Sequence, residues 1–216
     1  MFENRWHWYF RKKFMPPTRN ITGIHWALDT NIIGNKNLKT LKRLFSLGWI
    51  YLETPDTVQF EISFTKDEKK KKRLLTERSS FPMPMGPIVL NHSQLGFSVN
   101  SSPEDETRLY EVHQIIWSSR TFKEDAAEAE TNAKARHRLR DTMIVSTSIR
   151  YNLNTLVSLD ERLLSASSRL FEKYGLRVIS LETATVEALA VVRGTRKKAQ
   201  VLSDSVWFKN LPKWPR

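Results

Sequence analysis

Ile24-His25-Trp26-Ala27-Leu28-Asp29-Thr30-Asn31 is a short apolar run that stops on an acid and two residues suited to turns and helix caps. Such a run reads as a short buried strand. Leu38, Leu41, Leu44 and Phe45 then recur at helical spacing as far as Gly48, and Trp49-Ile50-Tyr51-Leu52 follows as a second strand. The opening is β-α-β. The same pattern returns downstream. Thr155-Leu156-Val157-Ser158-Leu159 is an apolar strand, Asp160-Glu161-Arg162-Leu163-Leu164 opens a helix to about Tyr174, Gly175 stops it, and Arg177-Val178-Ile179-Ser180 is another strand. Strands alternating with helices predict an α/β fold, a three-layer α/β/α arrangement around a central parallel sheet.

Between these segments, Thr54-Pro55-Asp56 has the make-up of a helix start: a capping hydroxyl, proline at the first helical position and an acid facing the dipole. The helix is expected to run past Glu61 into Lys66-Asp67-Glu68-Lys69-Lys70-Lys71-Lys72-Arg73, a cationic end that suits solvent or phosphate equally. Residues 79–103 are rich in proline, serine and glycine, with Ile88-Val89-Leu90 and Leu95-Gly96-Phe97-Ser98-Val99 as arms of a hairpin. Helices are expected over Glu104 to Trp117 and over Asp125 to Tyr151. The expected organisation is a basic aromatic arm over 1–20, one domain over 21–182 with an insertion at about 76–125, and a basic C-terminal tail over 183–216. That tail carries one more helix and ends on Trp207, Phe208, Trp214 and Arg216.

The 216 residues carry 35 Lys plus Arg against 23 Asp plus Glu, a net charge of +12. A polyanion is the partner such a surplus favours, since each phosphate neutralised releases counterions; an anionic membrane surface or simple solubility also accommodates it. The sequence contains no cysteine, which excludes disulfides, thiolate metal sites and thiol nucleophiles. Arg5, Arg11, Lys12 and Lys13 interrupt the aromatic residues of the N-terminal stretch, so it lacks the apolar core of a signal peptide. No apolar run approaches the roughly 20 residues of a membrane span. A cytoplasmic protein without a membrane partner is the expectation.

Four acids carry the chemistry. Ligands of open parallel sheets sit beyond the carboxyl ends of the strands, and Asp29 and Asp160 each follow a strand directly. Asp141 lies among Leu139, Ile144, Val145 and Ile149, and Glu61 borders Val58, Ile62 and Phe64, so both carboxylates stand beside apolar faces. Carboxylates clustered in low dielectric repel one another, and a hard divalent cation with oxygen ligands relieves this; Mg²⁺ or Mn²⁺ fits best. Taken singly, each acid has a plainer use. Asp29 or Thr30 can cap the first helix, Ser158 to Glu161 has capping-box spacing with Asp160 as an alternative cap, Asp141 can pair with Arg138 or Arg140, and Glu61 with Thr57 or Thr65. His7, His25, His92, His113 and His137 are scattered without metal-ligand spacing and read as packing or surface residues. A Gly-rich phosphate loop, a dinucleotide fingerprint and the second acid of a haloacid-type phosphatase are all missing.

In order along the chain, Asp29-Thr30-Asn31-Ile32-Ile33 after its strand, the helix-borne Glu61, Leu139-Arg140-Asp141-Thr142-Met143-Ile144-Val145-Ser146-Thr147-Ser148, and Leu156-Val157-Ser158-Leu159-Asp160 resemble the motifs of PIN-domain nucleases. The resemblance covers roughly 24–75 and 130–180. It implies an acidic pocket of Asp29, Glu61, Asp141 and Asp160 holding Mg²⁺ or Mn²⁺, endoribonuclease hydrolysis of RNA, and supporting hydrogen bonds from Asn31 and Ser158. Among partners it leaves open an antitoxin protein, as in toxin–antitoxin pairs, and a homodimer. Lys123, Arg138 and Arg140 are the candidates for contacting substrate phosphates. The competing expectation is a non-catalytic PIN-like module that binds RNA or protein through its basic surface.

Overall fold

The computed structural model describes residues 20–89, 93, 98–201 and 211–212. The aromatic arm, the Leu90 and Leu95-Gly96-Phe97 parts of the expected hairpin, and the aromatic end at Trp207, Phe208, Trp214 and Arg216 lie outside the described residues.

Four strands, β1 (His25–Leu28), β2 (Tyr51–Glu53), β3 (Thr155–Val157) and β4 (Arg177–Ile179), form an all-parallel sheet in the order β2-β1-β3-β4. Trp26 is in register with Leu52 on one side and Thr155 on the other, and Leu156 with Val178. The two central strands are the most apolar: Ala27, Leu28, Leu156 and Val157 are fully buried, as double coverage by helices requires. The nine α-helices among the described residues are α1 (Lys39–Ser46), α2 (Asp56–Ser63), α3 (Glu68–Arg78), α4 (Pro103–Ile116), α5 (Phe122–Glu128), α6 (Ala133–Arg150), α7 (Glu161–Ser165), α8 (Ser167–Tyr174) and α9 (Leu181–Val201). α1 packs with α9, while α6 packs with α2, α4, α5 and β3, giving the three-layer α/β/α architecture. None of these helices is long and apolar enough to cross a membrane.

Several helices are shorter than the sequence pattern predicts, each for a local reason. Gly34, at φ +85°, interrupts the first, so two 3₁₀ turns (Thr30–Ile32 and Lys36–Leu38) precede α1. Helix two divides because Asp67 accepts from the Lys70 amide at 3.0 Å and starts α3 afresh. Pro55 is the cap of α2 rather than its first residue. Thr54 does not cap it: its amide donates to the Pro82 carbonyl at 2.9 Å. The long helix expected from Asp125 divides at Asn132, whose side chain caps α6 through the Lys134 and Ala135 amides. α7 and α8 meet at Ala166, and Gly175 at φ +69° ends α8 as anticipated.

Two segments are more integral than the expected organisation has them. Leu181, Ala184, Ala188 and Val192 of α9 belong to the main core, so the tail boundary after 182 falls inside a core helix. The segment that follows α3 is tied to the sheet edge, with the Asp56 amide donating to the Pro84 carbonyl at 3.1 Å and Ser98 Oγ to Asp56 Oδ2 at 2.8 Å. Its bridge, Pro87 with Val99, is parallel, whereas a hairpin would be antiparallel. Gly86 lies in this junction, where a Cβ would collide with Thr147 Oγ1 and approach Asp56 Oδ1 to 3.1 Å. Gly86→Ala is therefore expected to destabilise by about 1–3 kcal/mol, the usual range for overpacking. Urea unfolding is the check, and an unchanged midpoint would contradict the packing described.

Candidate metal centre

The strand order reverses between β1 and β3: from β1 the chain moves outward to β2, then returns to the other side of β1. That crevice is where ligands of open α/β sheets bind. Asp29 leaves β1 there, its amide donating to the Val157 carbonyl at 3.0 Å, and Ser158 leaves β3 beside it. Adjacency of β1 and β3 brings together residues more than a hundred positions apart. Ser158 Oγ donates to Asp29 Oδ2 at 2.6 Å, and Asn31 Nδ2 donates to the same oxygen at 2.7 Å and to Ser158 Oγ at 3.2 Å. The Leu159 amide donates to Asn31 Oδ1 at 3.0 Å, and the Asp160 amide to Ser158 Oγ at 3.0 Å. Asn31 and Ser158 thus fasten the two strand ends to each other.

Capping and clustering turn out to be compatible uses of one carboxylate. Asp160 Oδ1 accepts from the Arg162 and Leu163 amides and starts α7, while its Oδ2 faces His137 Nε2 at 3.9 Å. Asp29 Oδ1 likewise accepts from the Thr30 amide at 2.6 Å, leaving Oδ2 for Ser158 and Asn31. Ser158 does not form the capping box its spacing to Glu161 suggested, because its hydroxyl is engaged by Asp29. Neither Thr57 nor Thr65 holds Glu61; Thr30 Oγ1 donates to its Oε2 at 2.5 Å.

α6 lays Asp141 over the crevice, and one turn earlier it brings His137, which the sequence pattern assigned to packing or surface. His137 Nδ1 is 3.6 Å from Glu61 Oε1, and Nε2 is 3.6 Å from Asp141 Oδ2. Ligand atoms of His137, Asp141 and Asp160 all lie within 4.8 Å of one another. Asp29 and Glu61 flank this trio. The missed signal was the i, i+4 spacing of His137 and Asp141, which puts both on one helix face.

Electrostatics follow from this crowding. Burial pushes Asp29 up to about 6, against the Ser158 hydrogen bond and with help from the Glu61 charge. Burial also holds Asp141 well above the carboxylate range; His137 opposes this, and Asp29, Glu61 and Asp160 reinforce it. Burial disfavours the Glu61 carboxylate too, but His137, Thr30 and Arg140 outweigh it and the group titrates below its ordinary value. His137 is raised to about 9 by its contact with Glu61, against partial burial and with the Asp141 charge adding to it. Asp141 is 2% exposed, and its Oδ2 has no hydrogen-bond partner. A buried carboxylate oxygen without a donor, close to Asp160 and an imidazole and within the field of Asp29 and Glu61, is suited to a divalent cation.

The basic candidates fall elsewhere. Arg138 is bound to Asp125, through Nε at 2.6 Å and Nη2 at 2.5 Å, and Arg140 is 7% exposed with its guanidinium over the rings of Phe60 and Phe64. Neither is free to grip a phosphate. Nor does either pair with Asp141. Lys123 is exposed and lies over the Tyr110 ring. Comparison with protein-family models, characterised proteins and solved structures gives no significant match.

A pH dependence follows for the metal-free protein. Asp29 titrates higher in the folded chain, about 6, than at its ordinary 3.8, so it favours the fold fully below pH 3.8 and this contribution is lost as pH rises through about 6. Its size is about 3 kcal/mol. In EDTA, the thermal midpoint of Asp29→Asn is expected to gain on that of the wild type between pH 4 and 7, with a plateau above. Melting curves that stay parallel across this range would count against the buried placement.

Proposed function

We propose that the protein is a divalent-metal-dependent endoribonuclease of PIN type, hydrolysing RNA phosphodiester bonds at the crevice between β1 and β3. The observation that carries the reading is the buried Oδ2 of Asp141, which accepts no hydrogen bond, among Asp29, Glu61, Asp160 and His137. Asp141 and Asp160 would hold Mg²⁺ or Mn²⁺, with Asp29 and Glu61 adding negative charge alongside. When bound, such an ion activates water and stabilises charge developing on the phosphate and the leaving oxygen. The side chains set the geometry for this chemistry. Asn31 and Ser158 hold Asp29 rigid, Thr30 holds Glu61, and the α7 amides orient Asp160. The net charge of +12 supports a polyanionic substrate.

The test is incubation of end-labelled structured and single-stranded RNAs with the purified chain in Mg²⁺, Mn²⁺ or EDTA, beside Asp141→Asn. Cleavage that needs the metal and is lost in the variant is expected. If both proteins bind RNA equally and neither cuts, a non-catalytic RNA-binding module replaces the proposal.

A further inference from the structure

His137 stands between three of the four acids, one on one side of its ring and two on the other. Nδ1 faces Glu61 Oε1 at 3.6 Å, and Nε2 faces Asp141 Oδ2 at 3.6 Å and Asp160 Oδ2 at 3.9 Å. An octahedral ion with bonds of about 2.1 Å keeps neighbouring ligand atoms about 3 Å apart and opposite ones about 4.2 Å apart. The spacings on the Nε2 side, 3.6 and 3.9 Å, fall between those values, and the His137 side chain, 54% exposed, is free to adjust by the few tenths of an ångström required. The Nδ1 side has the other half of a familiar arrangement, in which a carboxylate accepts the second ring N–H and fixes the tautomer and plane of a metal-bound imidazole. Thr30 Oγ1, donating to Glu61 Oε2, holds that carboxylate in turn. Asp141 Oδ2, buried and accepting no hydrogen bond, independently marks the Nε2 side as the place where a cation belongs.

We infer that His137 is a nitrogen ligand of the metal centre, binding through Nε2 beside Asp141 and Asp160, with Glu61 as the group that orients the imidazole rather than a ligand. This rests on the metal-centre reading above and changes its composition. Ligation at Nε2 takes the place of a proton there. A nitrogen donor among oxygen donors favours a transition dication over Mg²⁺, so the centre binds Mn²⁺ in preference to Mg²⁺.

The experiment is Mn²⁺ added alone to the full chain, with pulsed electron paramagnetic resonance read for ¹⁴N coupling and Mg²⁺ used as competitor. The wild type is expected to show imidazole ¹⁴N coupling that is absent in both His137→Ala and His137→Gln, with the Mn²⁺ over Mg²⁺ preference falling about tenfold or more in each. Glu61→Gln is expected to keep the coupling while Mn²⁺ affinity drops about 10–100-fold. Bound Mn²⁺ without ¹⁴N coupling in the wild type overturns the histidine ligand and leaves an all-oxygen centre standing. Failure to bind Mn²⁺ at all overturns both this inference and the metal-dependent nuclease.

Discussion

Asp141→Asn is expected to reduce metal-dependent RNA cleavage by more than about 100-fold while raising the unfolding midpoint of the chelated protein. The first effect follows from position. Groups that merely orient a metal ligand change affinity or activity by about 10–100-fold; under the proposed function Asp141 is itself a ligand, through an oxygen that accepts no hydrogen bond, so its loss is expected to exceed that range. The second follows from burial. Asparagine is isosteric and uncharged, so it relieves a site where burial together with Asp29, Glu61 and Asp160 opposes ionisation. Stability gained where activity is lost is the usual signature of a strained functional group. Cleavage time courses at saturating Mn²⁺ and melting curves in EDTA read the two effects separately. A variant that cuts as well as the wild type would remove Asp141 from the mechanism.

The largest structural effect is expected away from the crevice, at Asp125. Its side chain is fully buried; Arg138 binds it by two nitrogens, Arg120 Nε stands at 3.3 Å and His113 Nε2 at 3.1 Å. His113, itself inaccessible, reaches Thr142 Oγ1 at 3.0 Å with its other nitrogen. Burial works against the Asp125 charge, yet Arg138 and its companions hold the carboxyl below its ordinary value. Asp125→Ala removes the shared anion and strands the cations, which costs about 3–5 kcal/mol for a buried ionic network. The thermal midpoint should fall by roughly 10 °C in a chain of this size. Arg138 adjoins His137, so the same network fixes the first turns of α6 over the crevice. A loss below about 1 kcal/mol by urea unfolding would show that the network is not integral to the helical layer.

Much of the architecture was legible because it rests on local patterns. Apolar runs marked β1 and β3 as buried strands of a parallel sheet, and Asp29 and Asp160 could be placed at their carboxyl ends by position alone. Gly175 announced a helix stop because only a residue tolerant of positive φ ends a helix that way. Helix breaks at Gly34, Asp67 and Asn132 were harder to read. Each competes with flanking residues of good helix propensity, and the outcome depends on whether the cap makes its hydrogen bonds.

By itself, then, the sequence determined the fold class and the sheet edge at which the acids gather, since both follow from periodicity and from which residues come directly after a strand. Tertiary structure alone decided which charges meet. Arg138 and Arg140 are two positions apart, which on a helix points them to nearly opposite sides; one closes a buried network with Asp125 and the other packs on Phe60 and Phe64. From Leu139 to Ser148 every residue of α6 is buried, so no polar stripe in the sequence reveals which side faces the crevice. The meeting of His137 with Glu61, Asp141 and Asp160 depends on how α6 lies over the junction of β1 and β3. That placement is a long-range property of packing, which no local spacing encodes.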